Sequence, residues 1–261
     1  MRPKKRLGQH FLVDLSAAHR IAALAVAPSV PVLEIGAGTG TLTAALVASA
    51  ARVTALEIDG DLVAILQQRE DIGDAVILCA DAMAFDYAAF AGNGAWHVAG
   101  NLPYNIATPL VTRLVEMEAG PQSMTVMVQR DVGDRFAAAP GTAAYGSLSV
   151  AVQYAMTVRR AFTLKPRAFF PQPKIESAVV QLIRRREPAV RPRDVRRFRE
   201  VVRAAFAYRR KTLVNSLVLA LGLDRRRVER AVADAGIPLE QRGERLDLGD
   251  FAKLADALAE R

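Results

Sequence analysis

An open, doubly wound α/β sheet followed by a smaller all-helical domain is the fold the sequence predicts, and three observations predict it. A short apolar run at residues 31–43 ends in a glycine-rich turn and a helix start. Apolar runs then alternate with helical patterns as far as residue 135, as expected for a mainly parallel sheet covered on both faces. Beyond a stretch at residues 187–193 that holds Pro188 and Pro192, the pattern turns helical to the end. The expected boundary therefore separates residues 1–187 from residues 188–261.

Taken in order, residues 14–27 have helical spacing and lead into the first strand. Gly36, Gly38 and Gly40 then let the backbone come close to a ligand, as at the first turn of a nucleotide-binding sheet. Their G-x-G-x-G spacing departs from the dinucleotide fingerprint G-x-G-x-x-G, which argues against an NAD dehydrogenase. Residues 52–59 read as a second strand ending in Glu57, Ile58 and Asp59, with Glu57 placed to accept both hydroxyls of a ribose. Residues 75–81 form a third run, ending at Asp81, whose carboxylate can accept from an adenine amino group. A fourth, residues 96–100, feeds into Asn101. Ligands sit at the carboxyl ends of parallel strands, so the glycines, Glu57, Asp81 and Asn101 point to one pocket.

Further along, residues 141–147 read as a small-residue loop. Residues 150–164 and 178–185 look like two β segments, an antiparallel pair closing the sheet around a proline-broken aromatic stretch at residues 165–173. Helices are expected at residues 194–207, 212–221, 224–235, with Asp224 as N-cap, and 250–259.

Asn101-Leu102-Pro103-Tyr104 carries the most chemistry. An amine on an aromatic ring is a poor nucleophile, because its lone pair is delocalised into the ring. Hydrogen-bond acceptors that draw the nitrogen toward tetrahedral geometry restore its reactivity. Asn101 supplies a side-chain oxygen and the Leu102 backbone carbonyl a second acceptor. Pro103 stiffens the turn that presents them. Tyr104 offers a face for stacking on a splayed-out base.

Composition bounds these readings. The 261 residues are 51% hydrophobic, enough for one sizeable core and a small second domain. No apolar run is long enough to span a bilayer, and Arg2, Lys4, Lys5 and Arg6 are not followed by the apolar stretch of a signal peptide, so a soluble cytoplasmic protein is expected. Cys79 is the only cysteine, which rules out disulfides within the chain and a cysteine-rich metal cluster, and its apolar strand predicts a buried thiol. No metal is expected. Residues 1–183 carry 15 Lys and Arg against 15 Asp and Glu, whereas residues 184–261 carry 20 against 12, so the whole excess of +8 belongs to the tail. That asymmetry suggests a polyanionic partner for the tail. An arginine-rich composition is the other source of such an excess, since 29 of the 35 basic residues are Arg.

Leu7-Gly-Gln-His-Phe-Leu12, the glycine turn, Leu56-Glu-Ile-Asp59 and Asn101-Leu-Pro-Tyr-Asn-Ile106 together give the chain the look of a class I S-adenosylmethionine-dependent methyltransferase. With Phe169-Phe-Pro-Gln-Pro-Lys-Ile-Glu-Ser177 and Ala205-Phe-Ala-Tyr-Arg-Arg-Lys-Thr-Leu-Val-Asn-Ser-Leu217, it resembles the ribosomal RNA adenine dimethyltransferase (KsgA) family nearly end to end. One departure is His10, where many members carry Asn. The resemblance implies a Rossmann-like class I methyltransferase sheet with a smaller helical C-terminal domain, and S-adenosylmethionine as cofactor. It places Gln9, His10, Leu12, Gly36, Gly38, Glu57, Ile58, Asp81, Ala82 and Asn101 around that cofactor. Asn101, Leu102, Pro103 and Tyr104 would hold the target adenine, with Phe169, or its neighbour Phe170, on the other face. Tyr208, Arg209, Arg210 and Lys211 would contact RNA. The implied substrate is a pair of neighbouring adenosines near the 3′ end of 16S rRNA in the small ribosomal subunit, each converted to N6,N6-dimethyladenosine during subunit assembly, by a monomer that needs no membrane. The other readings are a macrolide-resistance methyltransferase of the large subunit, a DNA adenine methyltransferase and a non-catalytic assembly factor.

Overall fold

The computed structural model describes residues 3–4, 7–49, 52–92 and 94–259; Arg2, Lys5 and Arg6 of the basic N-terminal run lie outside the described residues. The chain divides into two compact units. The first comprises Met1–Gly133 with Thr157–Arg184, and the second Asp134–Met156 with Arg185–Arg261.

The first unit opens with a two-residue strand, β1 (Phe11–Leu12), and helix α1 (Leu15–Ala25), which the Asp14 side chain caps by accepting from the Ala17 N–H. Then follow β2 (Val32–Ile35), α2 (Thr41–Ala48), β3 (Val53–Glu57), α3 (Gly60–Leu66), β4 (Val76–Cys79), α4 (Tyr87–Ala91), β5 (His97–Asn101), α5 (Ala107–Glu116), β6 (Ser123–Gln129) and α6 (Arg130–Phe136). After α7 (Ser147–Ala155) come β7 (Met156–Leu164), β8 (Phe169–Phe170) and β9 (Ser177–Arg184). Among the described residues, seven strands form one sheet in the order β4-β3-β2-β5-β6-β9-β7. β2 to β6 pair in parallel and β9 runs antiparallel to β6. All four residues of β2 are buried, as a central parallel strand covered on both faces requires. Because β3 and β4 lie on one side of β2 and β5 and β6 on the other, the strand order reverses between β2 and β5, which makes that junction the switch point where ligands bind.

The expectations for Cys79 and for residues 150–155 need correction. Cys79 is exposed, because β4 is the edge strand of the sheet and has a neighbour on one side only. Residues 150–155 are helical, in α7, although their β-branched alternation reads as strand. Tertiary hydrogen bonds hold the helix: the Ser149 hydroxyl accepts from the Gly146 N–H and donates to the Arg135 carbonyl, and Gln153 Nε2 donates to the carbonyls of Phe136 and Ala138.

The second unit contains α7 with α8 (Val195–Ala207), α9 (Leu213–Leu221), α10 (Arg225–Asp234) and α11 (Leu248–Ala259). Asp194, Thr212 and Asp224 cap the first three of the tail helices with their side-chain oxygens. Tyr145, Val150 and Tyr154 share one apolar cluster with Phe198, Leu217 and Phe251, so the segment before β7 belongs with the tail. The expected boundary at residue 187 is displaced for the same reason. The Arg185 and Ala189 N–H groups donate to the carbonyls of Ala155 and Tyr154, which ties the proline-bearing stretch to the second unit.

Candidate active site

At the switch point, the turn after β2 and the end of β5 touch. A Cβ at Gly36, whose φ is +79°, would lie 3.3 Å from the Asn101 carbonyl oxygen, and one at Gly38, with φ +59°, would lie 3.1 Å from the Phe11 ring. Any side chain there would both strain the backbone and fill the cradle. The same loop orients Glu57. One carboxylate oxygen accepts from the Gly38 N–H at 2.8 Å and the other from the Asp59 N–H at 2.9 Å. The carboxylate is buried and held in a fixed orientation, with lone pairs left over for a ligand's hydroxyls.

Asn101 is the last residue of β5. Its Nδ2 donates to the His10 carbonyl at 2.7 Å, so the amide's donor end is engaged and its Oδ1 is the end available as an acceptor. The Leu102 N–H donates to the Met127 carbonyl, which anchors the turn to β6. Tyr104 stacks against the His10 ring at 5.4 Å between centroids, and its hydroxyl sits 3.0 Å from Ser177 Oγ. Burial pushes the Tyr104 phenol up, against the pull of that hydroxyl.

A strap formed by residues 7–12 covers the cradle. Gln9 donates to Asp59 at 3.0 Å, Lys4 Nζ meets Asp59 at 2.6 Å and Asp61 at 2.7 Å, and His10 Nδ1 lies 2.7 Å from the Pro171 carbonyl. Burial would raise the Asp59 carboxyl, but the hydrogen bonds from Lys4 and Gln9 outweigh it and hold the group below the usual carboxylate range. β1 pairs antiparallel with β8, Phe11 opposite Phe170 and Leu12 opposite Phe169.

On the far side of the pocket, the Asp81 side chain accepts from the Met83 N–H at 2.8 Å, and Ala82 is buried beside it. Arg113 fastens this loop from α5, donating to the carbonyls of Met83 at 2.6 Å and Phe85 at 3.0 Å. Nothing in the residue types around Arg113 marks it; only the fold brings it to the loop.

Glu34, in the middle of β2, is fully buried, and neither carboxylate oxygen has a hydrogen-bond partner among the described residues. Burial, opposed by the Thr43 hydroxyl and reinforced by the charge of Glu57, pushes its pKa up to about 7. An acid inside an otherwise apolar central strand is the signal that sequence reasoning passed over.

Gln9, His10, Leu12, Gly36, Gly38, Glu57, Ile58, Asp81, Ala82, Asn101, Leu102, Pro103 and Tyr104 all line one cavity of about 870 Å³, counted out to its open mouth. Phe169 does not. It is packed with Leu12, Ile21 and Leu164 in the apolar core, whereas Phe170 is 60% exposed. The alternation of a strand explains this: opposite Leu12, Phe169 turns inward and its neighbour outward. Tyr208, Arg209, Arg210 and Lys211 occupy the exposed turn between α8 and α9 in the second unit. Arg209 is partly engaged, donating to the carbonyls of Ala143 and Tyr145 at 3.3 Å.

The cavity suits S-adenosylmethionine on the chain's own features. A side-chain-free glycine cradle, an oriented buried carboxylate at Glu57 and an accepting Asp81 answer a methionine tail, a ribose and an adenine in that order.

Similarity to known proteins identifies the family and the fold. The family model for ribosomal RNA adenine dimethylase matches residues 1–260. The chain is 43% identical over 258 residues to the ribosomal RNA small subunit methyltransferase A of Magnetococcus marinus, covering 97% of this chain and 91% of the relative. It is 40% identical to the protein of the same name from Geobacillus kaustophilus, over 98% of this chain and 91% of that one. Among solved structures, the 23S rRNA methyltransferase ErmE superposes with a TM-score of 0.69 at 27% identity, over 96% of this chain and all of that one. A dimethyladenosine transferase from Plasmodium falciparum shares the fold with a TM-score of 0.75 at 23% identity, over 94% of this chain and 96% of that one. The α/β sheet with its helical C-terminal part is thus a class I methyltransferase fold, and the chain belongs to the ribosomal RNA adenine dimethylase family.

Proposed function

We propose that the protein transfers methyl groups from S-adenosylmethionine to N6 of two adjacent adenosines near the 3′ end of 16S rRNA, giving N6,N6-dimethyladenosine during small-subunit assembly. The observation that carries this reading is the division of labour within Asn101: its Nδ2 is spent on the His10 carbonyl, which aims Oδ1 as an acceptor for an amine. The Leu102 carbonyl is the second acceptor, and together they orient the amine lone pair. Tyr104 stacks the adenine ring.

When bound, the cofactor supplies an electrophilic methyl on a sulfonium, so the chain's task is positioning and exclusion of water. The Gly36 to Gly38 turn receives its backbone-hugging part, Glu57 accepts from the ribose hydroxyls, and Asp81 with the Ala82 backbone reads the adenine. The strap from Gln9 to Leu12 closes over the methionine end. The exposed Tyr208 to Lys211 turn contacts rRNA phosphates. The chain works in the cytoplasm as a monomer, on the small subunit rather than on a free nucleoside.

The test is incubation with labelled S-adenosylmethionine and small subunits from cells lacking the modification, followed by nucleoside mapping. Label is expected as N6,N6-dimethyladenosine at two adjacent small-subunit positions. Label that appears only on large subunits would transfer the assignment to the reaction named for ErmE.

A further inference from the structure

The first unit is charge-balanced in sum and polarised in space. Residues 57–86 hold eight acids and one base, and they form the β3 to β4 side of the sheet. Residues 158–175 hold five bases and no acid, and they begin on β7 at the opposite edge. Helix α1 carries no acid after its cap Asp14, which is itself engaged by the Ala17 N–H. The acid that follows the basic stretch, Glu176, is bound by Arg130 at 3.0 Å.

This basic stretch lies against α1 and ends at the mouth of the active site. Arg20 of α1 sits over the Phe162 ring at 3.7 Å, and the Val13 N–H donates to the Ala168 carbonyl at 2.9 Å. β8 then pairs with the pocket-lining β1, and the Pro171 carbonyl meets His10. Along that line Lys165, Arg167 and Lys174 are exposed, and none of them takes part in an ion pair among the described residues. Between them Phe170 presents a ring that is 60% exposed. Uncompensated cations flanking an outward aromatic ring fit single-stranded nucleic acid, which offers phosphates at the spacing of its backbone and a π-face on every base.

We propose that this face of the first unit is a track for the rRNA strand that flanks the target adenosine, with Lys165, Arg167 and Lys174 on its phosphates and Phe170 stacked on a neighbouring base. The inference rests on the function proposed above and adds to it a surface remote from the Tyr208 to Lys211 turn in sequence. The acidic β4 edge fixes the direction, because a polyanion is repelled from that side of the unit.

The experiment measures binding of the full-length protein to unmodified small subunits over a series of salt concentrations, for the wild type and for the triple variant Lys165→Gln, Arg167→Gln, Lys174→Gln. Each lost phosphate contact is expected to lower the slope of log K against log salt by roughly 0.7, so the triple variant's slope falls by about 2. Its affinity at low salt drops at least tenfold, while S-adenosylmethionine binding is unchanged. Phe170→Ala is expected to weaken RNA binding by roughly fivefold or more with the salt slope intact. A control pair on the acidic edge, Glu70→Gln with Asp74→Asn, leaves the slope undiminished. If the wild type methylates small subunits and the triple variant matches its affinity and slope, the track is wrong and the function stands. If the wild type neither binds nor methylates them, the functional reading fails and the track fails with it.

Discussion

The pocket at the switch point and the basic turn between α8 and α9 are built on opposite principles. In the pocket, three polar side chains have their orientation set by a partner: Glu57 by two backbone N–H groups, Asn101 by the His10 carbonyl, Asp81 by the Met83 N–H. In the turn, Tyr208, Arg210 and Lys211 point their side chains into solvent, and Arg209 alone reaches back to backbone carbonyls. Chemistry on a weakly nucleophilic amine needs acceptors fixed before the substrate arrives, since reorganisation at that moment costs rate. Holding a polyanion needs only charge density, which long mobile side chains supply without preset geometry.

The largest effect that can break this contrast concerns packing. Phe169→Ala should lower unfolding stability by about 3–5 kcal/mol, because it empties a site in the core, whereas Phe170→Ala should change it by less than about 0.5 kcal/mol. Denaturant melts of both variants decide it. A Phe169→Ala protein that melts like the wild type yet has lost turnover would return that ring to the adenine site.

Next in size is the separation of roles inside the pocket. Asn101→Ala should cut turnover by about 100- to 1000-fold while leaving S-adenosylmethionine affinity close to normal. Glu57→Ala should do the reverse, weakening the cofactor by roughly 10- to 100-fold as its charge-assisted hydrogen bonds disappear. Calorimetric binding and single-turnover methylation, run on both variants, test the pair. Main loss of cofactor binding in Asn101→Ala would remove that residue from the amine-holding role.

Glu34 sharpens the contrast from within, since it is the one pocket-lining carboxylate left without an oriented donor. Its folded pKa of about 7 lies above the ordinary 4.5, so between those values the folded chain holds a proton that the unfolded chain has released. The contribution of Glu34 to stability is therefore full below about pH 4.5 and is lost as pH rises toward 7, by about 1.4 kcal/mol per unit and about 3 kcal/mol in all. Glu34→Gln should flatten that part of the stability profile. An unchanged slope in pH-dependent unfolding would show that the carboxyl ionises normally in the fold.

The smallest effect belongs to the turn. Arg210→Gln with Lys211→Gln should lower the salt slope of rRNA binding by roughly 1–2 and leave cofactor affinity and melting behaviour unchanged. A fall in melting temperature instead would make the two residues part of the helical unit's own stability.

The fold and most of the pocket were legible in the chain because their signals are local. A glycine turn after a buried run, acids at successive strand ends and the helix cap at Asp224 each follow from a few adjacent residues. Residues 150–155 were not legible, since their alternation favours strand and only the bonds from Ser149 and Gln153 make them helical.

By itself, then, the sequence determined the strand order's raw materials, the glycine cradle, the acids and the asparagine that line the pocket, and the basic excess of the tail. Tertiary structure alone decided which of two adjacent phenylalanines turns inward, that Arg113 braces the Asp81 loop, that Lys4 and Gln9 meet Asp59, and that residues 134–156 join the second unit. The division has one physical cause. Backbone preference and hydrophobic period act over a few residues and can be read along the chain, whereas burial and hydrogen-bond partnership depend on what the fold brings from fifty or more residues away.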